Sequence, residues 1–323
     1  MNDAPDDVRR LAIERDRARA ARDYARADEL RDRIAALGYR VVDGPSGWSL
    51  EATRAAAPAR VGPRDVESVL SEPPSADVSV HWVVEGWPED VVRALEGFRA
   101  NEGGRDVQYV VSDLTTTDPA TYGAGVEVLG LEAGAGWGAA RNAGLRRSRG
   151  RIVLVLDGSI EPVGDVFGPV EAALTDGGIG VCGPYGIATR DLREFAASRG
   201  PDVDAIEGYL MAFRREVLAD AGLFDERFRW YRTADIELSF RIKDVGLRAV
   251  VVPAPVTKHV HRTWESTPAD ERDRLSKRNY NRFLDRFRGR FDLLVTPPRD
   301  AAGLTHQGID VSFTYHTKRK WRT

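Results

Sequence analysis

A mostly parallel α/β sheet flanked by helices is the fold class this 323-residue sequence predicts, and three observations predict it. From Val78 onward, short β-branched runs alternate with helical stretches, the signature of successive βαβ units. The run Ile152 to Leu156 is apolar throughout, so it has no polar face to offer water, as in a strand covered on both sides. The 42% hydrophobic fraction is enough to give a core to each of about two domains.

In chain order, Asp7 to Leu37 is rich in Arg, Ala, Asp and Glu and lacks Pro and Gly, which predicts helix. Tyr24, Ala27, Leu30, Ile34 and Leu37 form one stripe at spacings of three and four, and Gly38 stands where a left-handed cap is expected. A second stripe, Val8, Leu11, Arg15 and Ala18, makes a helical hairpin the simplest arrangement. Two short β runs follow in YRVVDGPSGWSLE around a turn at Gly44, Pro45 and Gly47, completing a small module over 1–51. Residues 52–77 are Ala/Pro-rich with one weak helical patch, Asp65 to Leu70, and read as a linker.

The main domain is expected over 78–296. VSVHWVV, a helix from about Asp90 to Ala100, VQYVV, VEVLGL, a helix from about Gly138 to Arg149 and RIVLVL supply its first half. The tail over 297–323 alternates weakly in IDVSFTYH and ends in KRKWRT, with no placement of its own.

Charge excludes some functions. Lys+Arg 47 against Asp+Glu 50 leaves a net charge of -3, so no global field draws the chain to nucleic acid or an anionic membrane. The one cysteine, Cys182, cannot form an intramolecular disulfide and reads as a small buried hydrophobe. No apolar run approaches the ~18 residues of a membrane span, and MNDAPDD is acidic where a signal peptide is basic. The expectation is a cytoplasmic protein without a transmembrane segment.

Ligands of open parallel sheets gather beyond the carboxyl ends of the strands. There stands Asp157, followed by Gly158, Ser159 and Glu161. A carboxylate at that point suits Mg²⁺, Mn²⁺ or a sugar hydroxyl; capping the next turn is the alternative. Upstream, GAGWGAARNAGL puts glycines before a helix whose start carries Arg141 and Asn142, groups that favour an anion. Downstream, Asp235 and Glu237 precede LSFRIKDVG: one of them could act as a general base, or both could be acids of a solvated first helical turn. His259 and His261 follow the strand RAVVVP, as metal ligands or as plain hydrogen-bonding residues.

Taken in order, GWGAARNAGL, the strand ending at Asp157, FDERFRWYRTADIELSFR and VVVPAPVTKHVH resemble the family-2 class of nucleotide-sugar glycosyltransferases with the GT-A fold. The resemblance runs from about Val78 to about Arg290. It implies a Rossmann-like, mixed but mostly parallel sheet preceded by the helical module. It also implies that Asp157 occupies the first position of an Asp-x-Asp motif near ribose, diphosphate and metal. Ser159 takes the second position, where the family has a metal-binding aspartate, so divalent-cation binding is weakened, displaced to Glu161 or His259, or absent. Asp235 matches the family's base and Ala234 replaces the glutamate before it, while Glu237, Leu238 and Arg241 continue the motif. His259 stands where the family's histidine falls, with His261 as the alternative. Glu85 or Trp87 begins the loop for the base, and Asp113 is an acidic nucleotide contact. Arg141 and Asn142 complete the donor side.

ERDRARAARDYARADELRDRIAALGYRVVDGPSGWSLE resembles the small C-terminal helical region of cysteinyl-tRNA synthetases. The zinc and ATP motifs of those enzymes are absent from the sequence. That resemblance implies a helical contact surface over residues 7–50, toward protein more than RNA, since arginines there barely outnumber acids. The expected function is transfer of a sugar from a nucleoside-diphosphate donor to a hydroxyl acceptor, with inversion. The alternative is a catalytically degenerate domain that binds a nucleotide, a glycan or a protein.

Overall fold

The structure is a computed structural model that describes residues 6–36, 39–44, 47–52 and 60–298. The chain divides into two compact units, Met1–Arg60 and Val61–Thr323. Gly38, Leu37 and Pro45 of the first unit, and the tail beyond 298, lie outside the described residues.

The first unit is the expected hairpin. Helices α1 (Asp6–Ala20) and α2 (Tyr24–Ala36) pack through Val8, Leu11, Ala12, Leu30 and Ile34, and the antiparallel strands β1 (Tyr39–Gly44) and β2 (Gly47–Ala52) add Leu50 and Trp48 to that core. Tyr24 of the expected stripe is exposed, because Arg22 turns the chain with a positive φ just before it. Arg15 is buried and grips Asp43 of β1 through two 2.8 Å bonds, while the more exposed Arg19 adds a third contact. These bonds, led by Arg15, pull the Asp43 carboxyl down to about 2. A depressed carboxyl stabilises the fold above about pH 4 and loses that contribution as pH falls toward 2. Protection of amides 39–44 from hydrogen exchange, taken relative to the intrinsic rate at each pH, should therefore fall in that window in the full chain, and Arg15→Ala should reduce this pH dependence more than Arg19→Ala does.

The second unit begins earlier than the sequence suggests. Residues 61–77 are not a free linker: the Val61 amide donates to Gly130 O, the Val69 amide to Arg146 O and the Ser75 amide to Arg149 O, and Val66 and Val69 are buried. Pro-rich chain can lie against a domain in extended form because its remaining amides find partners outside the segment. The weak helical patch at Asp65 to Leu70 is reduced to one 3-10 turn, Pro63–Asp65.

Beyond it run β3 (Ala76–Val84), α3 (Pro88–Arg99), β4 (Val107–Asp113), β5 (Val126–Gly130), α4 (Trp137–Arg146) and β6 (Gly150–Leu156). Next come β7 (Ile160–Pro162), α5 (Phe167–Leu174), β8 (Ile179–Gly183), β9 (Gly186–Thr189) and β10 (Phe195–Ser198). After these lie β11 (Asp202–Val203), β12 (Ala205–Ile206), β13 (Leu210–Arg214) and α6 (Val217–Ala221). The last described elements are α7 (Ala234–Asp244), β14 (Arg248–Val251), β15 (Val256–Lys258), α8 (Arg262–Ser266) and α9 (Ala269–Phe287).

Eight strands form one sheet in the order β11-β14-β8-β13-β6-β3-β4-β5. β6, β3, β4 and β5 are parallel, as are β14 and β8, whereas β13 is antiparallel to β6 and β8 and β11 is antiparallel to β14. The apolar run 152–156 thus lies mid-sheet, as its composition requires. Alternation along β3 sends Val78, Val80, Trp82 and Val84 into one core with Phe98 of α3 and Phe167 of α5. His81, between them, points to the face covered by α4. The opposite core joins Val153, Val155, Phe213, Phe228 and Leu238. α9 closes a third through Phe283 and Phe287 against Phe240 of α7. Cys182 is a free, buried thiol in β8. No helix among the described residues is long and apolar enough to cross a membrane.

Candidate functional site

Two structural events bring the chemistry to one place. β6 ends at Leu156, and the amide of Asp157 donates to Tyr209 O at the start of antiparallel β13, so the segment Glu207 to Tyr209 lies across the end of β6. Gly208 in that segment donates its amide to Asp235 Oδ2 at 2.7 Å, tying it to the first turn of α7. Asp157 and Asp235, 78 positions apart in sequence, consequently line one pocket of about 300 Å³ with Glu207, Tyr209, Tyr231 and His261. A narrower cleft continues from it past Glu85, Trp87, Ser159 and Arg262, and the two share Trp137, Arg141, Asp157, Tyr231 and His261.

The two aspartates sit in opposite electrostatic settings. Burial works to raise the Asp157 carboxyl, but His261 Nε2 at 3.0 Å and the Ser159 amide at 2.8 Å outweigh it and hold the group below its ordinary range. Burial dominates at Asp235 and raises it, although the amides of Gly208 and Ile236 and the charge of Arg232 pull the other way. One acid is fixed as an anion and the other is made more basic. Beside Asp235, burial and then the neighbouring aspartate push Glu207 up to about 7. Glu85 is open to the water of the cleft yet ringed by protein, and this partial desolvation likewise lifts it to about 7.

Arg141 is 2% exposed and held by its donors to His81 O (2.7 Å) and Leu156 O (2.9 Å), with its guanidinium 5.0 Å from the Trp137 ring centre. Burial lowers it to about 9, so it remains a cation at neutral pH, facing Asp157 and Glu85. Below it, His81 is buried and held neutral; its Nδ1 accepts from Arg141 at 3.2 Å and its Nε2 faces Ser112 Oγ at 3.0 Å. Trp87 lines the cleft and Thr233 the pocket, and both are non-glycine residues with positive φ. Strained residues of that kind concentrate at functional sites.

Several sequence-predicted residues lie elsewhere. Asp113 is buried at the end of β4, opposite Val84 of β3, where it accepts from Tyr122 Oη and from the amide and hydroxyl of Thr115; it is not among the residues that line either pocket. Asn142 faces away from the cleft and donates to Phe224 O, bracing α4 against the loop that follows α6. Glu237, one helical turn from Arg241, is buried against it with both oxygens at 2.9 Å from Nε, so it supports α7 and does not face the pocket. Ser159 lines the cleft with its hydroxyl buried beside the Asp157 carboxylate, which its side chain and its amide both favour as an anion.

His259 is engaged with Glu161, its amide bonded to Ser159 O as the β15 and β7 pairing continues; His261 is the histidine at Asp157. The sequence could not separate two histidines two residues apart. Glu207, Tyr209 and Tyr231 were missed because a lone acid and tyrosines in a loop carry no spacing signal.

Among the described residues no group of three or more His, Cys, Asp or Glu is arranged to hold a metal. The donor set for a divalent cation is therefore Asp157, with His261 as a second candidate. His261 Nδ1 accepts the Trp264 amide at 3.2 Å, capping α8, so the neutral ring has no second lone pair for a metal until that bond opens. The carboxylate fits such an ion outright, since Mg²⁺ is ordinarily held by one or two carboxylates together with substrate phosphates.

No family model matches the chain. Two curated proteins, cysteine–tRNA ligase 1 of Burkholderia lata and cysteine–tRNA ligase of Beutenbergia cavernae, are each 50% identical over 48 residues, covering 15% and 14% of this chain. The matched stretch spans 10% of each ligase, a length that suits the N-terminal module. Among solved structures, GalNAc-T7 with UDP, GalNAc and Mn²⁺ superposes with a TM-score of 0.54 at 16% identity, over 69% of this chain and 52% of that one. The chain thus spans about half of that protein, and the likeness shows the fold to be of the GT-A type. A mannosyltransferase from Pyrobaculum calidifontis in complex with GDP-Man and Mn²⁺ aligns more loosely, at 22% identity and a TM-score of 0.45 over 62% of each chain.

Proposed function

We propose that the larger unit transfers a sugar from a nucleoside-diphosphate donor to a hydroxyl acceptor in a single inverting displacement. The observation that carries this reading is the divergent pair in one pocket: Asp157 kept ionised, Asp235 kept basic. Two carboxylates pushed apart by their surroundings mark a division of labour between charge stabilisation and proton transfer. The structural neighbour GalNAc-T7, solved with UDP, GalNAc and Mn²⁺, shares the fold and supports a nucleotide site within it.

In this mechanism the acceptor oxygen bonds to the anomeric carbon as its proton passes to an oxygen of Asp235. The bond from that carbon to the diphosphate breaks, and its electron pair leaves with the diphosphate. Arg141, a fixed cation at the junction of pocket and cleft, faces the leaving charge without having to reorganise. Asp157 would hold a divalent cation, with His261 Nε2 beside it as a positioning partner. When bound, such an ion neutralises charge on the departing diphosphate. Trp87 and Glu85 would line the base and ribose side. The N-terminal unit is read as a protein-contact module, because Arg15 and Arg19 are engaged by Asp43 while Ile13 and Tyr24 are exposed.

Calorimetric titration with UDP and GDP, with and without Mn²⁺, tests the reading. One of the two should bind in the micromolar to millimolar range, about tenfold tighter with the ion, and Asp157→Ala should remove the ion's effect. The product's anomeric configuration, read by NMR, should be opposite to the donor's. Tight nucleotide binding without any transfer would favour a binding module, and failure of both nucleotides to bind would reject the site.

A further inference from the structure

Glu207 stands apart from the other charged groups of the pocket. Its own amide donates to Tyr185 O at 2.8 Å and the next amide, from Gly208, holds Asp235, so its backbone is fixed within the base's support. Its carboxylate faces the same pocket as Asp235, and among the described residues no group hydrogen-bonds to it or pairs with it at ion-pair distance. A carboxyl group turned into a pocket with no partner among the described residues calls for a hydrogen-bonding group from a ligand.

The surroundings decide which donor. Lys258 and Arg232 already contribute positive charge toward Glu207, which disfavours a cationic ligand. A long apolar alcohol would leave the carboxylate buried without a partner. Vicinal hydroxyls offer donors without charge. Lys258 lies over the Tyr209 ring at 3.2 Å and His261 stacks on Tyr231 at 4.5 Å, so one face of each ring is already taken, and Ile187, Phe195 and Ile236 supply the apolar wall suited to the C–H face of a pyranose ring.

Accepting the glycosyl-transfer reading on which this rests, we propose that Glu207 selects a carbohydrate acceptor, receiving a hydrogen bond from the hydroxyl next to the one that faces Asp235. Glu207 then fixes which hydroxyl of the sugar is presented to the base, and removing its acceptor capacity weakens acceptor binding far more than donor binding.

The test uses the full chain with the nucleotide found to bind, its hexose-linked donors, and three acceptor panels: methyl pyranosides, straight-chain alcohols and serine peptides. Pyranosides should accelerate donor consumption at least about tenfold over water alone, and the other panels should not. Glu207→Ala should raise the pyranoside KM about tenfold or more with UDP or GDP Kd unchanged, and Glu207→Gln, which keeps an acceptor oxygen, should recover part of the loss. A deoxy-pyranoside lacking the adjacent hydroxyl should lose its advantage in the wild type and lose nothing further in Glu207→Ala. Stimulation by alcohols or peptides in place of sugars, or a pyranoside KM within about twofold in Glu207→Ala, overturns the proposal while leaving glycosyl transfer intact. Absence of nucleotide binding in the wild type overturns the underlying reading and this inference with it.

Discussion

Replacing Asp235 by Asn should cut transfer by about 10²- to 10⁴-fold, the range a positioned general base contributes, while leaving nucleotide Kd within a few-fold. The carboxylate is the group to lose because its two oxygens are oriented separately, by the Gly208 amide at 2.7 Å and the Ile236 amide at 2.9 Å, at the start of α7. Asn can satisfy only one of those amides and presents an NH₂ to the other, so Asp235→Ala is the companion variant that separates lost chemistry from a strained turn. Both should be inactive. The wild-type rate should also carry the mark of burial: because Asp235 is raised, its ionised form disappears on acidification at a pH above that of an ordinary aspartate. Activity should fall through that higher point, and kcat/KM plotted against pH locates it. Retention of more than about a tenth of wild-type turnover in both variants would remove Asp235 from the mechanism.

Gly144→Ala should destabilise the larger unit by about 1–3 kcal/mol or more, despite the better helix propensity of alanine. A β-carbon at this position of α4 would fall 1.8 Å from His81 Nε2. His81 cannot move freely, since it is buried between Ser112 and Arg141. The melting temperature should fall by roughly 2–4 °C per kcal/mol. Nucleotide binding should weaken too, because displacing His81 unseats Arg141. The double variant His81→Ala with Gly144→Ala vacates the space and should be more stable than the sum of the single losses allows. A melting temperature for Gly144→Ala alone within about 1 °C of wild type would contradict this account.

How much of this could be read in advance follows from where the information lies. The βαβ alternation, the mid-sheet position of 152–156 and the helical hairpin are local patterns, and they were legible. The antiparallel strand Leu210–Arg214 was not: its central residues are as apolar as those of β6, and composition carries no strand direction. In the site, Asp157, Asp235 and Arg141 announced themselves through the elements they begin or end. Asp113 and Asn142 occupy comparable positions, but Tyr122, Thr115 and Phe224 supply partners that turn them inward. Those partners come from residues whose proximity is a tertiary fact. The segment 61–77 misled for a related reason, as its anchoring runs through backbone amides that composition does not reveal.

The reversed direction of β13 separates two kinds of inheritance. Because that strand enters the sheet against its neighbours, the loop before it arrives at the same edge as the turns that follow β3 and β6, with Tyr209 O accepting the Asp157 amide. On the proposed function, substitutions at Glu207 and Tyr209, which line the pocket, would retune which alcohol is modified while Asp204, Ala205 and Ile206 stay buried in the fold, so lineages could exchange customers while keeping the same supplier.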